Sequence, residues 1–354
     1  MEKRICVIEG DGIGPEVMAQ AIKVLRKVAS KYNHNFEYDY ALAGGIAIDK
    51  TGKCLPDETL DKVLNSDSTL LGAVGGSKWD SQPAENRPEK ALLGIRKAMQ
   101  VYANLRPQKL YPQLDSPLKT EVVGSGIDIM IVRELVSGVY FGEHNQAVDS
   151  AGKYAVDIMK YTENEIERVA KVAFELAEQR KKQLLLVDKA NVLATSKLWR
   201  EVVSNVAKDY KDINVSYMYV DNCAMQLIKN PSKIDVILTE NMFGDILSDE
   251  ASALTGSIGM AGSASIGDGG RGLYEAIHGS APDIAGKDIA NPIGMILSAA
   301  MMLRSSFGLE AEAQVIENAV FKFIEEGYRT ADIMQENSKL VGCSQAGDLI
   351  CSFI

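Results

Sequence analysis

Short apolar runs closed by glycine or a charged residue alternate along this chain with longer stretches of helical period. RICVIEG (4–10) predicts a strand. Pro15 then opens a helix over PEVMAQAIKVLRKVASKY, on which Val17, Ala21, Val24, Leu25 and Val28 share one face. TLLGAVGG (69–76) predicts a buried strand running into glycines, and GIDIMIVREL (126–135) another. Thr162 and Glu165 form a capping box for a helix that ends near Lys182. QLLLVDKAN (183–191), INVSYMYVD (213–221) and KIDVILTE (233–240) read as strands. SKLWREVVSNVAKDY (196–210), MFGDILSDEASAL (242–254) and NPIGMILSAAMMLRSSFGL (291–309) read as helices. Alternation of this kind predicts an α/β fold with much parallel strand pairing. Residues 138–157, GVYFGEHNQAVDSAGKYAVD, are polar with interspersed strand formers, and read as an extended arm or hairpin or as a surface loop.

IEGDGIGPEV (8–17) has the outline of a strand, glycine turn and helix that cradles a dinucleotide. That motif needs a third small residue for close helix–strand packing, and here the position holds Pro15. The stretch is therefore read as a tight strand-to-helix turn, and any nucleotide is held elsewhere.

Composition narrows the function classes. The 354 residues carry a net charge of −10 with a pI near 5.0, which argues against a nucleic-acid or anionic-membrane surface. The N-terminus is charged and enters a strand directly, without the apolar core of a signal segment. Five scattered cysteines without a CxxC pair predict neither a disulfide framework nor a zinc site, and suggest a reducing, cytoplasmic setting. With three histidines and no HExxH or GxSxG, a zinc hydrolase or a serine triad has no footing.

Four constellations carry chemistry. In RPEKALLGIRKAMQVYANLRP (87–107), Arg96 and Arg106 precede Arg133 of IVREL; guanidinium forks match carboxylates, so several together suit a di- or tricarboxylate. Arg96 alone reads rather as a solvated helix residue, and Leu92 and Leu93 as core packing. In FGDILSDE, Asp245 and Asp249 lie four apart on one helix face, and Asp221 ends a strand; hard oxygen ligands of this kind suit Mg²⁺ or Mn²⁺, while the pair alone also reads as favourable placement near a helix N-terminus. Lys189 follows an apolar strand, where it is either a desolvated base or an ordinary strand-end lysine, and Tyr140 carries a similar ambiguity between chemistry and packing. HGSAPDIAGKDIANP (278–292) is a small-residue loop before a helix whose amides can hold phosphates.

Taken together, GDGIGPEV, RPEKALLGIRKAMQVYANLRP, VRELVSGVYFGE, VDKANVL, YVDNCAMQL, FGDILSDEAS and HGSAPDIAGK occur in order over nearly the whole chain. In this the chain resembles the β-decarboxylating dehydrogenases of the isocitrate/isopropylmalate type, most narrowly their isopropylmalate-using branch. The resemblance implies a two-domain α/β fold, with a large mixed sheet flanked by helices, that is not Rossmann. Residues 1–101 and 254–354 would form a cofactor-side domain. Residues 102–253 would form a domain for substrate, metal and dimerisation, and the 138–157 arm would clasp a second copy in a homodimer with shared sites.

The resemblance also implies roles. Arg96, Arg106 and Arg133 would hold the malate carboxylates; Asp221 from the partner, Asp245 and Asp249 would bind Mg²⁺ or Mn²⁺; Lys189, also from the partner, would be the base and Tyr140 the acid. Glu89, Leu92 and Leu93 would select an isopropyl group, making 3-isopropylmalate the expected substrate of an oxidative decarboxylation to 4-methyl-2-oxopentanoate. Gly75, Gly76, Glu275, His278, Gly279, Ser280, Ala281, Asp283 and Asn291 would contact the cofactor, with Asp283 favouring NAD over NADP. Ser77 and Ala276 stand where proline is common, and GCSQAGD (342–348) departs from the usual pattern, none of them at a transferred role. The rivals are dehydrogenases of homoisocitrate, tartrate or D-malate, a Mg²⁺-dependent hydrolase using the same aspartates, and a non-catalytic regulatory paralogue.

Overall fold

The computed structural model describes residues 1–354, which divide into two compact units. The first comprises 1–101, 110–117 and 252–354, the second 102–109 and 118–251. No helix is long and apolar enough to cross a membrane. Elements are numbered along the chain.

In the first unit, strands β1 (Glu2–Gly10), β2 (Asn35–Ala41), β3 (Ser68–Ala73), β11 (Gly262–Ile266) and β12 (Gly272–Ala276) lie in the order β2-β1-β3-β12-β11. The β1/β2, β1/β3 and β3/β12 pairs are parallel and β11/β12 is antiparallel. Every residue of β3 is buried, as a central strand covered on both faces requires. On one face helix α1 (Gly14–Tyr32) packs on β3 and on α10 (Ile293–Ser305), α11 (Glu310–Glu325) and α12 (Cys343–Phe353). Val17, Ala21, Val24, Leu25 and Val28 of α1 are fully buried, and the helix ends at Asn33 in the left-handed region. Against the other face, α2 (Gly45–Thr51), α3 (Asp57–Asn65) and α4 (Pro88–Met99) bring Ile48, Val63, Ala91 and Ile95 onto Cys6, Ile8 and Leu71.

In the second unit, β4 (Ala103–Lys109), β5 (Asp128–Glu134), β8 (Gln183–Asp188), β9 (Asn214–Tyr219) and β10 (Val236–Thr239) lie in the order β4-β5-β10-β8-β9. Only the β4/β5 pair is antiparallel. After the single turn α5 (Thr120–Val123) come α6 (Glu163–Glu178) and α7 (Ala194–Val206), which cover the sheet, α8 (Val220–Lys229) beside β9, and α9 (Asn241–Leu254). The 138–157 stretch contains an antiparallel hairpin, β6 (His144–Asp149) and β7 (Gly152–Asp157).

Two expectations are corrected. The helix opened by the Thr162–Glu165 box ends at Glu178, because the chain turns through Gln179 and then Lys182 at φ 57°, whose N–H bonds back to Ala177 O. Asp221 does not end a strand. Helix α8 begins at Val220, so Asp221 lies in its first turn, where the helix dipole favours a carboxylate.

Candidate active site

The predicted residues divide between the units. Gly75, Gly76, Glu89, Leu92, Leu93, Arg96, Glu275 and the 278–292 loop belong to the first. Arg106, Arg133, Tyr140, Lys189, Asp221, Asp245 and Asp249 belong to the second.

In the second unit, the end of β5 carries Arg133, almost wholly buried. Its Nε and Nη2 donate to Asn241 Oδ1 at 3.0 and 2.8 Å, and its Nη1 to Asp245. Helix α9 approaches closely because residue 244 is glycine: a side-chain carbon there would sit 2.7 Å from Arg133 Cβ. From β4, Arg106 donates through Nε to Asn104 Oδ1 (2.7 Å) and through Nη1 to Ser248 Oγ (2.7 Å). The same Nη1 lies 3.4 Å from Asp245 and 3.6 Å from Asp249. Tyr140 donates its hydroxyl to Asp245 Oδ2 at 3.1 Å, with its ring 5.7 Å from the Arg133 guanidinium.

The electrostatics follow from this crowding. Burial pushes the Tyr140 phenol up, and the Asp245 charge adds to the effect, so the hydroxyl keeps its proton at neutral pH. Burial likewise raises the Asp249 carboxyl; Arg106 opposes the shift and Asp245 reinforces it. Asp245 and Asp249, on one face of α9 and both partly open, offer hard oxygen donors of the kind a divalent cation takes.

Lys189 leaves β8 and places Nζ 2.5 Å from Asp221 Oδ1, holding that carboxyl below the usual range. Its backbone is braced from behind. Lys189 N–H donates to Ser196 Oγ at 3.1 Å, and Ser196 donates to the buried Glu240. The neighbouring Asp188 is fully buried, accepts from Ala190 N–H at 2.8 Å and takes two bonds from Arg200, at 2.6 and 3.1 Å. Within a single chain no three His, Cys, Asp or Glu side chains are grouped to hold a metal.

In the first unit, Arg96 is buried on α4 and bonds Glu275 Oε1 at 2.6 Å, which replaces the solvated reading of this residue. Glu89, exposed in the first turn of α4, reaches back over Gly75. Leu92 packs partly into the core beneath α4, while Leu93 is half-buried. His278 is buried, its Nδ1 2.9 Å from Gly279 O and its Nε2 unpartnered; burial lowers its pKa. Asp283 and Gly279 are exposed on the same loop, and Ser280 is buried. Ala281 takes a positive φ of 38°. Asn291 spends its side chain locally, accepting from Ile293 N–H and donating to Asp332, each at 3.0 Å.

Sequence reading passed over Asn241 and Ser248, which orient the two arginines. Their signal was present, since Asn241, Asp245 and Ser248 recur at helical spacing on the face that carries the aspartates. Glu240, Ser196 and Arg200 had no such signal, because their partners are distant in sequence.

A family model described as isocitrate/isopropylmalate dehydrogenase matches residues 4–350. The 3-isopropylmalate dehydrogenase of Helicobacter hepaticus is 60% identical over 352 residues, covering 99% of each chain. That of Nitratidesulfovibrio vulgaris is 54% identical and covers 100% of each. Among solved structures, isocitrate dehydrogenase from Methylococcus capsulatus matches with a TM-score of 0.89 at 35% identity over 99% of both chains. A β-decarboxylating dehydrogenase from Thermococcus kodakarensis matches at 0.80 and 35%, covering 99% of this chain and 96% of that one.

Proposed function

The chain belongs to the isocitrate/isopropylmalate dehydrogenase family and has its fold, and we propose that it converts 3-isopropylmalate, with NAD⁺ and Mg²⁺ or Mn²⁺, to 4-methyl-2-oxopentanoate and CO₂. As a family member it is an oxidoreductase. The proposed product is the keto acid of leucine, so the reaction belongs to leucine biosynthesis. The observation that carries the reading is the cluster of Arg106, Arg133, Tyr140, Asp245 and Asp249: two buried guanidinium groups, two carboxylates and a protonated phenol on adjoining elements.

In this reading Arg106 and Arg133, with Arg96, take the substrate carboxylates. Asp245 and Asp249 hold the cation, with Asp221 of a second copy as third ligand. Two features support sharing between copies: one chain assembles no three-carboxylate group, and Asp221 is largely exposed. The 278–292 loop would hold the cofactor; in support, the buried His278 Nε2 lacks a partner and the exposed Asp283 carboxylate can accept from a ribose hydroxyl. When bound, NAD⁺ accepts a hydride from C2 and the cation draws electron density from the substrate oxygens.

The chain's own groups move the protons. Lys189 Nζ of the same second copy that lends Asp221 takes the proton of the C2 hydroxyl, and its braced backbone limits where that nitrogen can go. Tyr140 Oη returns a proton to the carbon from which CO₂ departs, which its raised pKa suits. Leu92 and Leu93 favour an apolar C3 substituent, and such a pocket discriminates by about 1–3 kcal/mol.

NADH formation by the purified protein with Mg²⁺ tests this, with 3-isopropylmalate, isocitrate, homoisocitrate, tartrate and D-malate in parallel and NADP⁺ as the alternative acceptor. The expected result is a large kcat/KM advantage for 3-isopropylmalate with NAD⁺. Preference for another malate keeps the mechanism and overturns the substrate; silence with all five sinks the enzyme reading.

A further inference from the structure

The turn that resembled a nucleotide cradle has a different use. Asp11 at its centre is 4% exposed, and its carboxylate accepts three backbone N–H groups from two other segments. Gly45 N and Gly75 N donate to Oδ2 at 2.8 and 2.9 Å, and Ile46 N donates to Oδ1 at 2.7 Å. The carboxylate is itself anchored, because Asp11 N–H donates to Ala73 O at 2.7 Å and Asp11 O accepts from Gly14 N–H at 2.9 Å. Two residues on, Ile13 N–H donates to Ser280 O at 2.8 Å. Gly12, at φ +59°, lies so close that a side-chain carbon would sit 1.9 Å from that same oxygen. One turn thus grips the start of α2, the 75–76 segment and the 278–292 loop, all within the first unit.

We propose that Asp11 is a positioning residue for cofactor binding: its buried carboxylate fixes the 75–76 segment against α2, on the turn to which Ser280 is docked. The proposal rests on the NAD⁺ reading above. A carboxylate suits the task because two acceptor oxygens can serve three N–H donors at once, and charge-assisted bonds of this kind are short and strong. Asparagine cannot replace it, since one of its two positions becomes a donor aimed at a donor.

The full-length chain carrying Asp11→Asn would be compared with Asp67→Asn, a carboxylate that also accepts a backbone N–H (Arg4, 2.8 Å) but touches none of these loops. Hydrogen exchange at Gly45, Ile46 and Gly75 is expected to accelerate about tenfold or more in Asp11→Asn only. NAD⁺ affinity by calorimetry and KM for NAD⁺ are expected to weaken about tenfold, with kcat and KM for the malate within about threefold; the tenfold corresponds to losing one strong hydrogen bond. If Asp11→Asn does not fold, Ile46→Pro removes one donor from the early first turn of α2 and is expected to weaken NAD⁺ binding about threefold. Unchanged exchange at the three amides overturns the proposal, as does an NAD⁺ affinity that moves no more than in Asp67→Asn. Failure of the unsubstituted protein to bind NAD⁺ at all overturns the cofactor reading itself and this proposal with it.

Discussion

Arg133 is among the largest fully buried side chains of the protein, and it follows the apolar run 129–132 of its strand. Burying a guanidinium is costly unless every donor finds an acceptor, and here Asn241 and Asp245 serve all three nitrogens. The same carboxylate holds Tyr140. Tyr140→Phe keeps the ring and removes only the hydroxyl; steady-state kinetics are expected to show kcat down by about 10²–10⁴ with KM little changed, the range a general acid contributes. Glu240 offers a test of stability. Burial pushes its carboxyl from an ordinary 4.5 up to about 7, with the Ser196 bond opposing the shift. Between those values only the folded state holds the proton, so stability falls as pH rises through the window and is level above it. The loss is about 3 kcal/mol by linkage. Glu240→Gln removes this penalty. Thermal melts are expected to show a Tm several degrees above the unsubstituted protein at pH 8 and within about a degree of it at pH 4; a constant difference would refute the assignment.

At the scale of elements, local chemistry was legible. The Thr162–Glu165 box is present in full: Thr162 N–H and Oγ bond Glu165 Oε2 at 2.7 and 2.8 Å, and Glu165 N–H returns to Thr162 Oγ at 3.4 Å. Thr162→Ala is expected to cost about 1 kcal/mol in urea denaturation, the usual worth of an N-cap. The apolar face read from α1 is the face that is buried. The misreadings fell at ends. INVSYMYVD keeps a strand-like composition through Asp221, yet the ladder with β8 stops at Tyr219 and the backbone turns helical. A ladder ends where its partner strand ends, and that is not written in the strand's own composition.

At the scale of the whole molecule, the hairpin of β6 and β7 leaves Val148, Tyr154 and Val156 at 72, 43 and 44% exposure. Tyr154 and Val156, two apart on one strand, share a face. These exposed apolar side chains on one hairpin are what the clasp implied by the resemblance would cover. Tyr154→Asp with Val156→Asp is therefore expected to shift the mass by light scattering from dimer to monomer and to abolish turnover, because Lys189 and Asp221 would no longer reach a second site. A doubly substituted protein that stays dimeric would refute the clasp.

What the sequence by itself determined is local and periodic. It held the alternation of strands and helices, the face of α1, the capping box and the pairing of Asp245 with Asp249 on one helix face. Each of these depends on residues within a turn or two of one another. Only the tertiary structure decided what the polar groups do. Arg96 meets a Glu275 that lies 179 residues away, and Asn291 turns to Asp332. Asp11 clamps amides 34, 35 and 64 positions on. Buried donors and acceptors must be satisfied, but any of several partners meets that demand. The choice belongs to the packing that brings distant segments together, so the spacing of the glycine turn was legible in the sequence, while the amides its aspartate grips emerged only once the chain was folded.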